Sequence, residues 1–567
     1  MTRIFDQPED FAAAALAGFC SAHADHVLAA PHGALRAQAA PPGKVALVVG
    51  GSSGHYPAFL GYIGHGLADA AVAGDVFASP STNSVMALAM QADVGGGVIL
   101  GFGNYAGDVL HFGAAAERLR AQGIDTRILA VTDDVASAPP AEATKRRGIA
   151  GDLVVFKIAG AAAEAGWDLD AVDAIGKRAN AATVSFGVAF SGCTLPGQEA
   201  PLFRVEADQA ALGLGIHGEP GIDSRPMPAA AELAQILLDR LLAERPADHA
   251  GRVAVVLNGL GCSKHEELFV LWHHLSGLMD QAGLVPVQPA IGEFVTSLDM
   301  AGCSLTLCWL DPQLEEFWVA PVDAPVLRRG VLQPASAQAR RQLRARSGDA
   351  ALRQGSPVSR AMAVVLAERI QDLAQALAEA ETELGRIDAQ AGDGDHGQGM
   401  ARGSAAAAEI ARETVANGAG LATLLAKAGD AWADRAGGTS GALWGAGLRA
   451  AGDALDDESS VSPEAVACAA RAALDAITGL GGAERGDKTL VDALIPFVET
   501  LEARINAGAP VSEAWQAAAA AATEAAEATA EMIPRKGRAR PLAERSLGHP
   551  DAGAISLALS ARAMQPR

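Results

Sequence analysis

The chain runs to 567 residues, half of them hydrophobic and 19% charged, with a formal net charge of −22. That length exceeds a single hydrophobic core and predicts about two to four domains of globular composition. An acidic surface excludes nucleic acid and anionic membrane as partners, since both demand a basic face, but a local site and a metal can still hold a phosphate ligand.

Residues 1–8 are polar and no apolar signal core follows them, and nowhere does an apolar run reach the roughly 18 residues of a membrane helix. The cytoplasm is the expected compartment. Six cysteines (Cys20, Cys193, Cys262, Cys303, Cys308 and Cys468) form neither a CxxC pair nor a small disulfide framework, so reduced, buried thiols are expected.

Residues 1–330 alternate short β-branched runs with Ala- and Leu-rich helical stretches. Strands are predicted over 45–49, 98–102, 128–131, 184–190, 253–257 and 305–310. Several end in Gly, Asn or Asp, as strands do when they feed site-forming loops at the carboxyl edge of a sheet. An α/β half is therefore expected, in two subdomains of about 1–182 and 183–330. Gly50-Gly51-Ser52-Ser53-Gly54-His55 leaves the first of these strands, Gly103-Asn104-Tyr105-Ala106-Gly107-Asp108 the second, and His217 lies between Gly213 and Gly221. A lone histidine in such a loop is more often structural, but two histidines and one aspartate at strand ends suit acid–base work near neutrality. Gly213 to Gly218 also satisfies G-x-G-x-x-G. No clear strand precedes it, and Pro220 and Gly221 block the helix a pyrophosphate needs, so dinucleotide binding is not expected. Neither a G-x4-G-K-[ST] loop nor the protein-kinase motif set occurs.

Residues 331–360 read as a solvated linker; from Arg328 to Arg360 there are eight arginines against one acidic residue, Asp349. Steering of ATP by that positive stretch is the alternative. From residue 361 the strand signals stop, and 361–384, 421–433, 462–474 and 514–532 are Ala-rich stretches of helical period. Residues 361–567 are therefore predicted to form an all-helical domain. Asp388, Asp393 and Asp395 fall within eight residues among glycines that let the backbone aim them at one point, and all-oxygen ligation suits Mg2+. A calcium loop fits less well, because Gly397 and Ser404 occupy positions of its ligands; a plain polar turn is the remaining alternative. Gly437-Gly438-Thr439-Ser440-Gly441 runs into a helical stretch beginning at Ala442, where free amides and two hydroxyls make a phosphate cradle. Gly481 to Thr489 is a third Gly-rich turn. Either of these two alone is more often a helix connection, but the three together point to a Mg-nucleotide site.

Ten ordered motifs carry a resemblance that spans nearly the whole chain apart from the linker. GGSSGHYPA, AGDVFASPS, GNYAGDVLHF, GIAGDLVVFKI, GLGIHGEPG and TSLDMAGCSLTL resemble the ketose-binding domain of the dihydroxyacetone kinase family. DAQAGDGDHGQGM, GGTSGALWG, GGAERGDKTLVDAL and ERSLGHPDAGA resemble its helical ATP-binding domain. The resemblance implies that His217 holds a ketose as a hemiaminal, that Asp108 is the base for a terminal hydroxyl, and that His55 positions and activates that hydroxyl. It implies substrate contacts from Ser52, Ser53, Gly54 and Gly103, and two Mg2+ ions on Asp388, Asp393 and Asp395. Nucleotide contacts would come from Asp395, His396, Gly397, Gln398, Thr439, Ser440, Gly481, Thr489, Leu490, Asp551, Ala552 and Gly553. A barrel of antiparallel helices, ATP as phosphoryl donor and a homodimer are implied as well.

Many members carry Lys where this chain has Gly103. Together with Tyr56 and the Gly-Glu-Phe run before Thr296, that departure resembles the erythrulose-kinase branch. Fusion of the two domains favours free ATP over a phosphotransferase carrier protein. Cleavage of FAD to a cyclic flavin phosphate, and a non-catalytic ketose sensor, are the competing functions; three aspartates kept together argue against the sensor.

Overall fold

The computed structural model describes residues 2–330, 354–390, 392, 394–536 and 546–566, so most of the expected linker, 331–353, and Asp393 lie outside the described residues. Two compact units emerge, one from residues 1–80 and 84–344, the other from 345–567 with 81–83.

In the first unit one sheet is built from β1 (Val27–Ala30), β2 (Gly33–Arg36), β3 (Ala46–Ser53), β4 (Ala70–Val76), β5 (Val98–Gly103) and β6 (Thr126–Val131). Their spatial order is β1-β2-β4-β3-β5-β6, with β4, β3, β5 and β6 parallel and β1 and β2 an antiparallel edge. Parallel pairing of β3 with β5 brings the 52–55 and 103–108 loops to the same carboxyl edge. Helices α1 (Phe11–Ala22), α2 (Thr82–Ala92), α3 (Ala106–Ala121), α4 (Gly151–Glu164) and α5 (Leu169–Ala181) accompany this sheet.

The second sheet comprises β7 (Thr183–Ala189), β8 (Gln209–Leu212), β9 (Asp223–Pro226), β10 (Arg252–Gly259), β11 (Val285–Gly292) and β12 (Gly302–Trp309), in the order β11-β10-β12-β7-β8-β9. With it come α6 (Ala230–Leu242), α7 (His265–Gln281) and α8 (Pro312–Val319), then a hairpin of β13 (Val322–Ala324) and β14 (Leu327–Arg329). Between the sheets lies α4, which packs on β3, β5 and β6 from one side and on β7, β10 and β12 from the other. Every residue from Gly151 to Ala163 is buried, and all but Asp152 and Lys157 are apolar or glycine, as suits a helix covered on both sides. One apolar cluster accordingly runs from Leu47 and Val49 through Val155 and Ile158 to Val256 and Cys308.

The six strands expected from sequence are β3, β5, β6, β7, β10 and β12, all of them interior to their sheets except the edge strand β6. Strands buried on both faces read as continuous apolar runs. The other strands, the interior β2, β4 and β8 among them, escape that signal because they are short, rich in small residues or interrupted, as β11 is by Pro286 and Pro289. One expectation needs correction: β8 does precede Gly213. The glycines lead into β9 and not into a helix, so a dinucleotide turn is excluded for that reason alone. Cys262 and Cys468 are exposed, contrary to expectation; the other four cysteines are buried, and all six are free thiols.

Among the described residues the elements of the second unit are all helical, the α-helices being α9 (Pro357–Glu379), α10 (Glu381–Asp388), α11 (His396–Ala416), α12 (Leu421–Ala436), α13 (Gly438–Asp453), α14 (Pro463–Gly481), α15 (Val491–Asn506), α16 (Val511–Ala528) and α17 (Ala552–Ala563). From α11 onward each packs on the next, while α9 packs on α11 and α17 returns to α9. Among the described residues this closes a barrel of eight helices, with the short α10 packed on α9, α11 and α17. Small residues such as Ala407, Ala428, Ala493 and Ala518 fill its core and let the axes approach. The expected helix at 361–384 is interrupted at Ala380, between α9 and α10, and that at 514–532 ends in a 3-10 turn, Thr529–Glu531. The fold is α/β followed by an all-helical barrel.

Candidate active site

In the first unit Gly54 turns the chain at φ +102°, a conformation open to glycine, and so carries His55 into the interior. His55 Nδ1 donates to the Thr296 carbonyl at 2.7 Å, which leaves Nε2 as an acceptor 3.0 Å from Ser52 Oγ and 2.9 Å from His217 Nε2. Burial, then the charge of His217, pushes the His55 imidazole down to about 3, so it is neutral at any working pH. His217 stands in the loop between β8 and β9, with Nδ1 3.2 Å from Glu219 Oε1. Glu219 Oε2 accepts from the His217 backbone N–H at 3.0 Å and lies 3.7 Å from Arg147, which pairs with Asp134 at 2.7 Å. Burial alone would raise the Glu219 carboxyl; His217 and Arg147 outweigh it and hold the group well below the usual range. Two bare nitrogens would repel at 2.9 Å, so we assign a proton between the two rings to His217, whose other nitrogen faces a carboxylate.

Aromatic rings frame this pair. Phe77 stacks on His55 at 5.1 Å, and Phe77 and Tyr105 meet His217 edge-on at 5.0 and 4.7 Å. Of the two serines only Ser52 turns toward the histidines, since Ser53 Oγ donates to the Gly74 carbonyl at 2.6 Å. Asp108 is buried in the first turn of α3, near enough to Asp152 for its charge to act there. Gly103 closes β5, where an added Cβ would lie 3.4 Å from Tyr105 and 3.5 Å from the Asp152 carboxylate. The sequence reading missed Glu219, Arg147, Phe77, Tyr105 and Thr296. Glu219 carried a signal, a carboxylate two residues after a histidine; Thr296 carried none, because it contributes a backbone carbonyl.

In the second unit, ring neighbours joined by short connections run antiparallel, so alternate helices point the same way. The N-termini of α11, α13 and α15 therefore gather at one end of the barrel, joined by that of α17 through Ser556 against His396, and each presents the positive pole of its helix there. Those termini carry Asp395 to Gln398, Thr439 and Ser440, Thr489 and Leu490, and Asp551 to Gly553, with Gly481 at the end of α14. His396 joins three of them: Nε2 is 2.9 Å from Ser556 Oγ on α17 and Nδ1 is 3.4 Å from Ser440 Oγ on α13. Gly553 packs on Leu490, where a Cβ would come within 3.4 Å of the Leu490 side chain. Asp492, unmarked from sequence, accepts from the Thr489 N–H at 2.8 Å and the Gly486 N–H at 2.5 Å. Asp551 caps α17 by accepting from Ala554 N–H at 2.8 Å. Gln398 and Thr439 are exposed, whereas Gly397 is buried beneath α10.

Asp388 ends α10, where its Oδ2 accepts from the Gly394 N–H at 2.9 Å and the His396 N–H at 3.4 Å. Burial, then the charges of Asp388 and Asp492, pushes the Asp551 carboxyl up to about 7. Burial and then Asp388 push Asp395 up to about 6, although Asp395 keeps a face to solvent that tempers the shift. Carboxylates that resist ionising together, set among four helix N-termini, fit a hard divalent cation and a polyphosphate. Among the described residues no three acidic, imidazole or thiol groups converge to metal-binding distance; Asp393, the third of the expected ligands, lies outside them.

Comparison with known proteins respects the same division. A Dak1 domain matches residues 17–326 and a DAK2 domain residues 390–566. The chain is 52% identical to the D-erythrulose kinase of Mycolicibacterium smegmatis, covering 99% of this chain and 98% of that one. It is 53% identical to the L-erythrulose kinase of Pectobacterium atrosepticum, covering 99% and 95%. The crystal structure of the dihydroxyacetone kinase of C. freundii in complex with AMP-PNP and Mg2+ aligns over 100% of this chain and 99% of that one, with a TM-score of 0.53 and 31% identity. Two domain matches and full-length identity above one half place this chain in the dihydroxyacetone kinase family.

Proposed function

We propose that the protein transfers the γ-phosphoryl group of ATP to a terminal hydroxyl of a four-carbon ketose, erythrulose, held covalently on His217. It is an ATP-dependent ketose kinase: erythrulose kinases align along its whole length, and a structural relative was solved with AMP-PNP and Mg2+. The observation that supports the tether is the line Thr296–His55–His217–Glu219, which fixes both rings and places a proton between their Nε2 atoms. Nε2 of His217 first gives up that proton to His55 Nε2. Its freed lone pair then adds to the carbonyl carbon as the C=O π bond opens, the proton passes from His55 to the carbonyl oxygen, and Glu219 balances the positive ring that remains. Polyols, which lack a carbonyl, are not captured. Asp108 then takes the proton of the terminal hydroxyl as its oxygen attacks the γ-phosphorus, and the bond to the bridging oxygen breaks to release ADP. Bound Mg2+ supplies neutralising charge to the phosphate oxygens, and Asp388, Asp393 and Asp395 would hold it. Thr439, Ser440, Thr489 and the Asp551 turn would seat the nucleotide by backbone amides and hydroxyls.

The same reading gives two Mg2+ ions, a cytoplasmic location and a homodimer; metal titration, cell fractionation and light scattering test these in turn. No helix among the described residues is long and apolar enough to cross a membrane. The deciding experiment is His217→Ala assayed with C3 to C5 ketoses. Loss of positioning alone predicts a fall in kcat/KM of roughly 100-fold, with Mg-ATP affinity retained. Unchanged kcat/KM would remove the tether from the mechanism.

A further inference from the structure

Next to the tether, two polar atoms are buried without a hydrogen-bond partner among the described residues, the Tyr105 hydroxyl and Asp152 Oδ1. Asp152 is 2% exposed and lies in the first turn of α4, the helix shared by the two sheets. Its charged neighbours are Asp133 and Asp108, both acidic. Asp133 is already engaged, its two oxygens accepting from the Ile149 and Gly151 amides at 2.8 Å each. Buried polar groups left unpaired are rare in native proteins and mark places that something else completes.

Gly103 shows where these groups face. The position of a Cβ on Gly103 lies 3.2 Å from the Gly148 carbonyl oxygen, 3.4 Å from Tyr105 Cε2 and 3.5 Å from Asp152 Oδ2, so the bare Cα of Gly103 is closely walled and both residues stand beside it. Tyr105 in turn meets the His217 ring edge-on at 4.7 Å, and Asp152 is near enough to Asp108 to feel its charge. Burial, then Asp133 and Asp108, raises the Asp152 carboxyl well above its ordinary range, which favours the form with one O–H to donate beside an oxygen that accepts. Burial likewise keeps the Tyr105 hydroxyl protonated.

We propose that Asp152 and Tyr105 are the specificity-determining pair of the ketose site, hydrogen-bonding the additional hydroxyl that a four-carbon ketose carries and a three-carbon ketose lacks. This rests on the reading that His217 holds the ketose. A triose bound on His217 leaves both groups unmet, whereas a tetrulose satisfies them. Tether, base and pair also give three points of contact, enough to separate the two enantiomers of the tetrulose.

The test is kcat/KM for dihydroxyacetone and for D- and L-erythrulose in wild type, Asp152→Leu, Asp152→Asn and Tyr105→Phe. The ratio of the preferred tetrulose to the triose is expected to fall roughly 5- to 100-fold in Asp152→Leu and by less in Tyr105→Phe. Asp152→Asn, which keeps a donor and an acceptor in the same place, is expected to hold the ratio close to wild type. An unchanged ratio in Asp152→Leu, or a loss in Asp152→Asn as large as in Asp152→Leu, overturns the proposal. If Asp152→Leu does not fold, an unchanged ratio in Tyr105→Phe overturns it. His217→Ala, run alongside, reads the tether separately, because failure of the tether shows as retained turnover of every sugar and not as a changed ratio.

Discussion

His55 has one nitrogen on a backbone carbonyl and the other accepting from His217, so the folded protein gives it no place for a second proton. The unfolded chain takes up that proton as pH falls below about 6.5, while the folded chain resists until about 3. Through that window the unfolded state binds more protons, so this group lowers stability as pH falls, by up to about 1.4 kcal/mol per pH unit. Replacing His55 with Gln should flatten the drop in Tm between pH 7 and pH 5; an equally steep drop would place the proton uptake elsewhere. At this scale the sequence exposes His55, His217 and Asp108, because each sits among small residues shortly after a strand, Asp108 in the first turn of α3. Asp152 stays hidden in the apolar run Gly148 to Ile158, where only packing reveals that it has no partner.

Among the elements, the decisive fact is that alternate helices of the barrel share a direction, so four N-termini meet the carboxylates at one end. A cation held there depends on all its ligands together. Asp388→Asn and Asp395→Asn are each expected to lower ATP turnover roughly 100-fold, and the double variant should be little worse than either, since one lost ligand already empties the site. Small losses that add would mark the segment as a polar turn. The Gly437 to Gly441 stretch shows why the element boundaries were harder to see than the motifs. Glycine is a poor helix former, so the sequence places the helix start at Ala442, whereas α13 begins at Gly438 and Thr439 and Ser440 already lie in its first turn.

At the level of the whole molecule the two units have separate apolar cores. Fragments 1–330 and 361–567, produced separately, should each unfold cooperatively in urea, and mixing them should restore ketose phosphorylation. Insoluble or non-cooperative fragments would contradict that division. The change of architecture near residue 361 is legible because β-branched runs cease there. Closure of the barrel is not, since it is a relation between α9 and α17, the first and last helices of the unit, and no local pattern records it. That closure also restricts how the unit can change over time. A linear array of helical hairpins gains or loses a repeat with only its two neighbours affected. In a closed ring an extra hairpin would shift the bearing of every helix and pull the four N-termini apart, so helix number is inherited as a whole. Growth is left to the connections at the opposite end, 417–420, 454–462 and 507–510, where added residues would touch neither nucleotide nor metal.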